Sequence, residues 1–341
     1  MGRFRKGLFV FLLTFACACL AAERKTYSIV DLGGLANTKF ADVTHINDSG
    51  QVVGISANHA FLWENGVMID LGTLGGDFSL ANGINDLGQV VGESNTFGGE
   101  THAFLWDHGT MSDLGTSGET SSAHGINNQG EIVGAISSKN VRGIAVLWKN
   151  RQRLSLPDLG PTGSGSTAFA VNANGDVTGV SSGFVSSSGG VVRAVVWHGG
   201  IVKDIGTLGG MHSNACALND LGDVVGWAES PNSSTDAFLW HDGVMRNLKS
   251  LAGRAAKSVS ESQAFAVNRL VQVVGSSSNS KGENRAVIWE NGKTTDLNDL
   301  VTSQTGLVFT RARGINNRGQ ILVEVQVRTD GTTRSFVLTP Q

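Results

Sequence analysis

Short apolar runs separated by turn-forming residues follow one another along almost the whole chain. In the stretch 59–92, HAFLWENGVMIDLGTLGGDFSLANGINDLGQVVG, apolar and β-branched residues form four such runs. The links between them contain Gly, Asn or Asp, which favour tight turns between strands. The pattern predicts short antiparallel strands joined by hairpins, and few stretches after the first twenty residues favour helix.

Variants of this stretch recur to the end of the chain in units of roughly 40–50 residues. The Trp that ends the AFLW segment recurs at Trp63, Trp106, Trp148, Trp197, Trp240 and Trp289, with Leu338 in its place in a seventh copy. The Asn of the G-I-N segment is present in all seven copies, at Asn47, Asn85, Asn127, Asn172, Asn219, Asn268 and Asn316. A Gly follows this Asn in every copy but one, which has Val271, and a second Gly follows in every copy but one, which has Val323.

Each unit is predicted to contain four strands. Examples of the first, second, third and fourth strand are residues 81–85, 89–93, 59–63 and 67–71, respectively. The third strand is apolar at successive positions, which predicts burial on both of its faces, as in a strand between neighbouring sheets. Since repeated units that share a core count as one domain, residues 23–341 are predicted to form a single domain.

Seven four-stranded units predict an all-β, seven-bladed β-propeller. A solenoid is the alternative, but a solenoid needs a polar cap at each end. Here the chain begins with a lone fourth strand, 27–32, and ends on a third strand, 334–338, whose own fourth strand is missing. Pairing these two strands would complete the seventh blade and leave no exposed sheet edge at the seam of the ring.

The A-F-L-W, D-L-G-T-L-G-G and G-I-N-D-x-G-x-V-V-G segments resemble the extracellular HAF repeats of bacterial proteins. The sequence His-Ala-Phe, after which the repeat is named, is present at 59–61 and 102–104. In other units its His is replaced by Arg193, Asp236, Arg285 and Arg334. The resemblance covers nearly all of the chain after its N-terminal segment. It implies export and a repeat fold rather than an activity, and the strand order is similar to that of kelch propellers, by analogy only.

The first 22 residues have the pattern of a signal peptide. Arg3, Arg5 and Lys6 precede the apolar run 7–20, and small residues follow it at Ala21 and Ala22. The run is short for a membrane span. The alternative is a lipoprotein signal with Cys17 or Cys19 lipidated, although neither has a Leu three residues upstream. The pattern predicts a secreted or periplasmic bacterial protein with no stable membrane span.

Charge and cysteine content narrow the choice of partners. Without its three N-terminal basic residues, the chain has 23 Lys and Arg against 29 Asp and Glu, a net charge of −6. That balance provides no basic surface for nucleic acid. Cys216 is the one Cys outside the signal, which excludes an internal disulfide in the mature chain and predicts a small buried residue. We expect a monomer.

The recurrent polar residues predict structural roles. An Asp recurs near the fourth strand at Asp31, Asp70, Asp113, Asp158, Asp204 and Asp296. A catalytic pair must converge within roughly 5–10 Å, whereas these Asp belong to different blades, so we expect each to hydrogen-bond a turn. His59 and His102 are likewise separated by blade, and His124 is predicted to pack. The N-D-x-G segments fit turn chemistry better than calcium loops, because four of the seven copies replace the Asp.

No catalytic, metal-binding or cofactor-binding residue is predicted, and the ligand-binding residues are unknown from sequence. Gly75–Gly76 lacks the Lys and the helix of a phosphate loop. Trp227 lies outside the Trp repeat and is expected to pack against a loop or stack on a sugar.

Function is expected on the variable loops, which alternation of strands places on one rim of the ring. The longest are 183–192, 249–262, 276–284 and 298–307. The sequence therefore favours a non-enzymatic binding or scaffold protein for an extracellular protein or glycan, acting through this long-loop rim. The alternative is a secreted glycan hydrolase or lyase with its site at the channel mouth.

Overall fold

The described part of the chain folds into seven four-stranded antiparallel sheets, arranged as the blades of a β-propeller. The structure, a computed structural model, describes residues 25–139, 141–150, 152–160, 164–183, 190–252, 261–301, 306–326 and 333–341. The predicted signal segment, 1–22, lies outside these residues. In the described part of the chain, the links between blades include the short 3-10 helices Leu35–Asn37 and Leu297–Asp299.

Six blades follow one another in chain order, each running from its innermost to its outermost strand. Blade 1 contains β2 (Asp42–Ile46), β3 (Val52–Ser56), β4 (His59–Glu64) and β5 (Val67–Asp70). Blade 2 contains β6 (Gly75–Ile84), β7 (Val90–Thr96), β8 (Thr101–Asp107) and β9 (Thr110–Asp113). Blade 3 contains β10 (Thr120–Ile126), β11 (Ile132–Ser138), β12 (Val141–Lys149) and β13 (Gln152–Ser155).

The second half of the ring repeats this plan. Blade 4 contains β14 (Ser166–Val171), β15 (Val177–Ser182), β16 (Val192–His198) and β17 (Ile201–Asp204). Blade 5 contains β18 (Ser213–Leu218), β19 (Val224–Glu229), β20 (Thr235–His241) and β21 (Val244–Asn247). Blade 6 contains β22 (Ser262–Val267), β23 (Val273–Ser278), β24 (Asn284–Glu290) and β25 (Lys293–Asp296).

Blade 7 joins the two ends of the chain and confirms the predicted closure. It contains β26 (Arg311–Ile315), β27 (Ile321–Gln326) and β28 (Thr333–Pro340), and its outermost strand is β1 (Tyr27–Asp31). The register runs from Tyr27 opposite Pro340 to Asp31 opposite Phe336. Because β1 supplies the missing edge, the ring closes through main-chain hydrogen bonds between its N- and C-terminal strands.

The hydrophobic core is divided among the spaces between adjacent blades. Phe61 and Leu62 are consecutive in β4, yet Phe61 packs with residues of blade 7 and Leu62 with residues of blade 2. This confirms the burial of the third strand on both faces. Two of the repeated Trp also connect neighbouring blades: the Trp197 indole N–H donates to the Pro157 oxygen at 2.8 Å, in the link from blade 3, and the Trp289 indole N–H donates to the Lys249 oxygen at 2.9 Å.

The two recurrent glycines answer different steric demands. The first lies in a turn at positive φ, for example φ 81° at Gly222, where a side chain is strained. The second lies where the first two strands approach closely, since a Cβ on Gly226 would lie 1.9 Å from the Asn214 oxygen.

Two rims result from this plan. The turn rim carries the links from first to second strand, such as 47–51, and the two-residue turns from third to fourth strand, such as Asn65–Gly66. The long-loop rim carries the remaining links. These differ between blades: two residues, Ala57–Asn58, join β3 to β4, whereas 183–191 join β15 to β16.

Candidate functional site: the central channel and its rims

The innermost strands of the seven blades surround a central channel. Its cavity has a volume of about 580 Å³, within the range of roughly 300–1,000 Å³ that small-molecule sites occupy. The lining extends from Asp48 and Asp86 at the turn rim to Trp227 in β19.

One buried Asn from each blade joins the blades into a closed ring, which we call the asparagine ring. In every blade the Asn Nδ2 donates to the main-chain oxygen of the Asn of the next blade, at 2.9–3.2 Å. The members, in ring order, are Asn47, Asn85, Asn127, Asn172, Asn219, Asn268 and Asn316. The Oδ1 of each accepts two N–H groups of its own turn, as Asn219 does from Leu221 and Asp223 at 3.0 Å. Since donors and acceptors are both used, no other side chain replaces Asn here.

A polar pair supports each ring member from outside. The residue four positions after the Asn accepts its second Nδ2 hydrogen and also contacts the residue after the repeated Trp. Where the first is Gln, the contact in three blades is acidic: Gln51 with Glu64, Gln89 with Asp107 and Gln272 with Glu290. Where the first is acidic, the contact is basic: Glu131 with Lys149, Asp176 with His198 and Asp223 with His241. Each blade thus adjusts two positions together to keep the pair complementary.

The carboxylates at the turn-rim mouth are used as structural acceptors. Asp48 N–H donates to Asp86 Oδ1 at 2.8 Å, and Asn317 N–H donates to Asp48 Oδ1 at 2.8 Å. Burial acts to raise the pKa of Asp48, but hydrogen bonds from Asn317 and Arg269 outweigh it and hold that pKa below its ordinary value. Arg269 Nη2 lies 3.2 Å from Asp48 Oδ2.

A β-bulge in each innermost strand places one residue on the channel wall. In all seven blades the strand register shifts at the residue three before the ring Asn. We call these the bulge residues; they are Thr44, Asn82, His124, Phe169, Cys216, Phe265 and Arg313, all half-buried and all lining the cavity. The residue before each is Ala or Val, whereas the bulge residue differs in nearly every blade. The chain therefore varies its channel wall while keeping the supporting positions constant.

The variation divides the channel into two halves. His124, Phe169, Cys216 and Phe265, from blades 3 to 6, form an apolar arc. The remaining bulge residues, Arg313, Thr44 and Asn82 from blades 7, 1 and 2, form a polar arc, to which His45 adds its ring.

Arg313 is held at the boundary of the two arcs. Its Nε lies 2.9 Å from Glu324 Oε1, and its guanidinium lies over the Phe265 ring at 5.3 Å from the centroid. Burial raises the pKa of Glu324 despite the opposing charge of Arg313. Within the described residues, the terminal guanidinium nitrogens of Arg313 have no hydrogen-bond partner.

Three further titratable groups of the wall have pKa values shifted towards the neutral form. Burial lowers the pKa of His124 to about 4 and also lowers the pKa of His45, which the charge of Asp86 only partly offsets. Burial raises the pKa of the Cys216 thiol to about 12. At the level of the bulge residues the wall therefore presents the Arg313–Glu324 ion pair, whereas the other charged lining residues lie in the turn-rim links: Asp48, Asp86, Asp220 and Arg269.

The structural role predicted for the recurrent Asp is confirmed in five blades. Asp70 Oδ1 accepts the N–H of Gly72 at 2.8 Å, as expected for a turn, and its carboxylate lies 2.8 Å from His59 Nδ1. The same double contact recurs for Asp31, Asp113, Asp204 and Asp296, with Arg334, His102, Arg193 and Arg285 as the basic partners. This cross-strand pairing explains why His and Arg alternate at the first position of the HAF motif.

The assignment of Asp158 to this set was wrong. The register places Ser155 opposite Val146, as Asp70 is placed opposite Phe61, and Asp158 lies beyond the end of β13. The D-L-G segment at 158–160 suggested the equivalence, whereas the spacing from the repeated Trp agrees with the structure, since Ser155 follows Trp148 at the same interval as Asp70 follows Trp63.

The structure places three other residues on the channel wall. His124 was predicted to pack, and it packs edge to face with Phe169. Cys216 was predicted to be a small buried residue, but it is half-buried, as His124 is. Trp227 was expected to pack against a loop or stack on a sugar, and it lines the cavity beside Asn214. For His124 and Cys216 the sequence contained a usable signal, namely variability at one fixed position before the invariant Asn.

Two further properties concern the described residues alone. They contain no group of three or more His, Cys, Asp and Glu side chains arranged to hold a metal ion. They also contain no helix with the length and apolar character needed to cross a membrane.

The long-loop rim carries the predicted irregular segments, of which 184–189, 253–260 and 302–305 lie outside the described residues. The segment 276–284 is shorter than predicted, since 276–278 belongs to β23. Phe97, between β7 and β8, is 94% exposed, and Met211, in the link to blade 5, is 52% exposed.

The fold and its closure define a seven-bladed β-propeller of four-stranded blades. No family model and no curated relative matches the sequence, so the HAF resemblance remains a resemblance. Solved structures share the fold. The β-propeller domain of the Trilobed protease from Pyrococcus furiosus is similar with a TM-score of 0.55 and 9% identity, over 89% of this chain and 97% of that one.

Two further structures have the same architecture. Acylaminoacyl peptidase from Pyrococcus horikoshii has a TM-score of 0.54 and 10% identity, over 92% of this chain and 54% of that one. The extracellular domain of BT4673 from B. thetaiotaomicron has a TM-score of 0.52 and 10% identity, over 92% of this chain and 40% of that one. The chain thus spans about half the length of each of these two proteins. At such identities the similarity establishes the fold alone.

Proposed function

We propose that the protein is an exported, non-enzymatic binding module that engages a protein partner through its long-loop rim. The observation that carries this proposal is the contrast between the two rims. On the turn rim, every blade repeats one five-residue link whose Asn is satisfied within the ring. On the long-loop rim, each blade has a different link, and binding surfaces are commonly built in this way on rigid scaffolds.

Exposed apolar side chains on structured links favour a protein partner. Phe97 is 94% exposed but its main chain is fixed, since the Thr96 and Gly99 N–H groups both bond within the hairpin at 2.8–3.0 Å. Gly75, the first residue of β6, packs beneath it, because a Cβ there would lie 3.3 Å from the Phe97 Cβ. A solvent-exposed aromatic side chain on a fixed main chain is suited to act as an anchor residue of a protein interface. Export is inferred from the N-terminal segment.

The enzyme alternative receives less support from the channel. The turn-mouth carboxylates accept main-chain hydrogens and the side-chain amide hydrogens of Asn128 (at Asp86) and Asn317 (at Asp48), and Glu324 is paired with Arg313. A general acid or base needs a carboxylate free to exchange its proton with a substrate. We therefore propose that the protein binds its partner without catalysing a reaction.

The test combines a binding screen with a matched pair of variants. The purified mature protein is screened against extracellular proteins and, in parallel, against a glycan array. Each interaction is then remeasured with Phe97→Ser and with Leu270→Ser. Leu270 is a suitable control because it is 70% exposed but lies on the turn rim.

We expect a protein partner whose affinity falls about tenfold or more with Phe97→Ser, as for an interface anchor, and is unchanged with Leu270→Ser. If instead a glycan binds and its binding is lost with Phe97→Ser, the ligand of the long-loop rim is a glycan rather than a protein. Loss with Leu270→Ser alone would move the interface to the turn rim, and turnover of a glycan substrate would support the enzyme alternative.

A further inference from the structure

We infer that the central channel is a second binding site, which takes a neutral pyranose sugar between its apolar and polar arcs. This site is separate from the long-loop rim and does not depend on the function proposed for it. The inference starts from the bulge residues. Their position is the same in every blade, but their chemistry is sorted, with aromatic rings on one side of the cavity and hydrogen-bonding groups on the other.

The apolar arc offers aromatic surface at two places. His124 and Phe169 meet edge to face, with ring centroids 5.6 Å apart and planes at 64°, which fixes both rings. Phe265 lies beneath the Arg313 guanidinium, and Trp227 lines the same side of the cavity. All of these rings are half-buried, so part of each remains accessible from the channel. Surfaces of this kind stack against the apolar C–H face of a sugar ring.

The polar arc offers donors and acceptors together. The terminal guanidinium nitrogens of Arg313 are available donors. Asn82 Nδ2 donates to the Ala123 oxygen at 3.0 Å, so its Oδ1 is left to accept. Thr44 is excluded from this set, because its hydroxyl contacts the Val53 and Ala81 oxygens at 3.1 and 2.8 Å. A sugar hydroxyl both donates and accepts, which matches a wall that presents both kinds of group.

The charges on the wall argue for an uncharged ligand. Glu324 already balances Arg313, so a bound anion would face a carboxylate that is 5% exposed. A bound cation at the level of the bulge residues would meet the Arg313 guanidinium. The carboxylates that line the cavity elsewhere, Asp48, Asp86 and Asp220, lie in the turn-rim links and accept main-chain N–H groups there. The His45 side chain is accessible from the channel, but the surrounding wall shields its ring from bulk water and lowers its pKa below the ordinary value, which disfavours a positive charge there. Neither sign of charge is therefore favoured, whereas hydrogen bonding is.

The experiment uses the mature protein and defined probes. Saturation-transfer NMR is recorded with the methyl glycosides of glucose, galactose and mannose, and with N-acetylglucosamine. Glucuronic acid and glucosamine serve as charged counterparts of similar size. The variants are Phe265→Ala, which removes stacking surface, and Arg313→Gln/Glu324→Gln, which removes the ion pair without leaving one buried charge. Arg246→Gln is the matched control, because Arg246 is exposed on the outermost strand of blade 5.

We expect at least one neutral sugar to receive saturation, strongest at the protons of its C–H face. Affinity should fall about fivefold or more in Phe265→Ala and about tenfold in the double variant, and should be unchanged in Arg246→Gln and Phe97→Ser. If none of the neutral sugars receives saturation from the protein, the inference is overturned. Equal transfer in all variants, or stronger transfer to a charged sugar, would also overturn it. Because Phe97→Ser affects only the rim, this result is independent of the proposed protein partner.

Discussion

The Nδ2 of Asn316 donates to the main-chain oxygen of Asn47 at 2.9 Å, across 269 positions of sequence. This bond closes the asparagine ring beside the seam where β1 pairs with β28. Ring closure is therefore secured twice, once at the outer edge of blade 7 and once at the channel. The same Asn geometry is present in every blade, so it can be tested where the termini are remote.

Asn219→Asp is expected to destabilise the protein by about 3–5 kcal/mol, because the buried carboxylate keeps the two N–H donors at its first oxygen but gains no cation and meets two acceptors at its second oxygen. Asn219 Nδ2 donates to Asp223 Oδ2 at 2.8 Å and to the Asn268 oxygen at 3.0 Å, and Asp would turn both contacts into repulsion. Urea unfolding at pH 7 measures the change. The control is Asn65→Asp in an exposed turn, where we expect less than about 0.5 kcal/mol; equal effects would show that the ring adds nothing specific.

Val271→Gly is expected to stabilise the protein by about 1 kcal/mol. Val271 occupies the first glycine position with φ 58°, a left-handed conformation that costs a β-branched residue strain. Part of that gain is offset by the greater flexibility of Gly in the unfolded chain. Thermal unfolding should show a rise in Tm of about 1–3 °C.

Val323→Gly provides the opposite control, since it also restores a repeat glycine. Val323 is 0% exposed and belongs to the core cluster that contains Phe336 and Leu338. We expect a loss of about 2–4 kcal/mol from the cavity it leaves. If both Val271→Gly and Val323→Gly stabilise the protein, the effect on stability depends on matching the residue found in the other repeats rather than on the local geometry at each position.

Deletion of residues 334–341 is expected to lower stability by about 6 kcal/mol or more, since Phe336, Val337 and Leu338 are all buried. It also leaves β1 without its partner strand. Chemical unfolding followed by tryptophan fluorescence measures the loss.

The matched test of closure keeps every residue. Gln341 N–H donates to the Thr26 oxygen at 2.9 Å, so a short linker can join the ends, with new termini at Gly199–Gly200 on the turn rim. The permuted protein should unfold within about 1 kcal/mol of the parent if strand pairing rather than chain order closes the ring. Failure of the permuted chain to fold, or survival of the deletion at full stability, would contradict this account.

His124→Phe is expected to flatten the dependence of stability on pH between about 4 and 6.5. Burial depresses the folded-state pKa of His124 to about 4, below the ordinary value of 6.5. In this window the unfolded chain binds the proton and the folded chain does not, so stability is present above pH 6.5 and is lost as the pH falls towards 4.

Protonation of His124 is expected to lower the free energy of unfolding by about 1–2 kcal/mol over this pH range, since water in the channel moderates the effect of burial. Phe is chosen because Phe169 and Phe265 occupy the same position in other blades. Urea unfolding of both proteins from pH 4 to 7 gives the difference. Parallel curves for the two proteins would show that His124 titrates normally.

Much of the fold was readable from repetition. The repeated Trp, Asn and Gly positions predicted the number of blades, the strands within them and the pairing of 27–32 with 334–338. The candidate site was not readable in the same way. His124 and Cys216 look like strand residues in sequence, and only the bulge that precedes each ring Asn turns them towards the channel.

The sequence by itself determined the ring, because strand periodicity and turn residues are local properties that recur in every unit. The strands 27–32 and 334–338 then complement each other within one blade. The sequence also indicated a structural role for the recurrent Asp, but the tertiary structure alone showed how the polar residues around the channel pair with one another. The ring Asn, the Gln or acidic residue four positions later and the residue after the Trp satisfy one another only when strands and blades are brought together. It likewise decided which variable residues face the channel, since residues from seven blades form one wall only once the ring has closed.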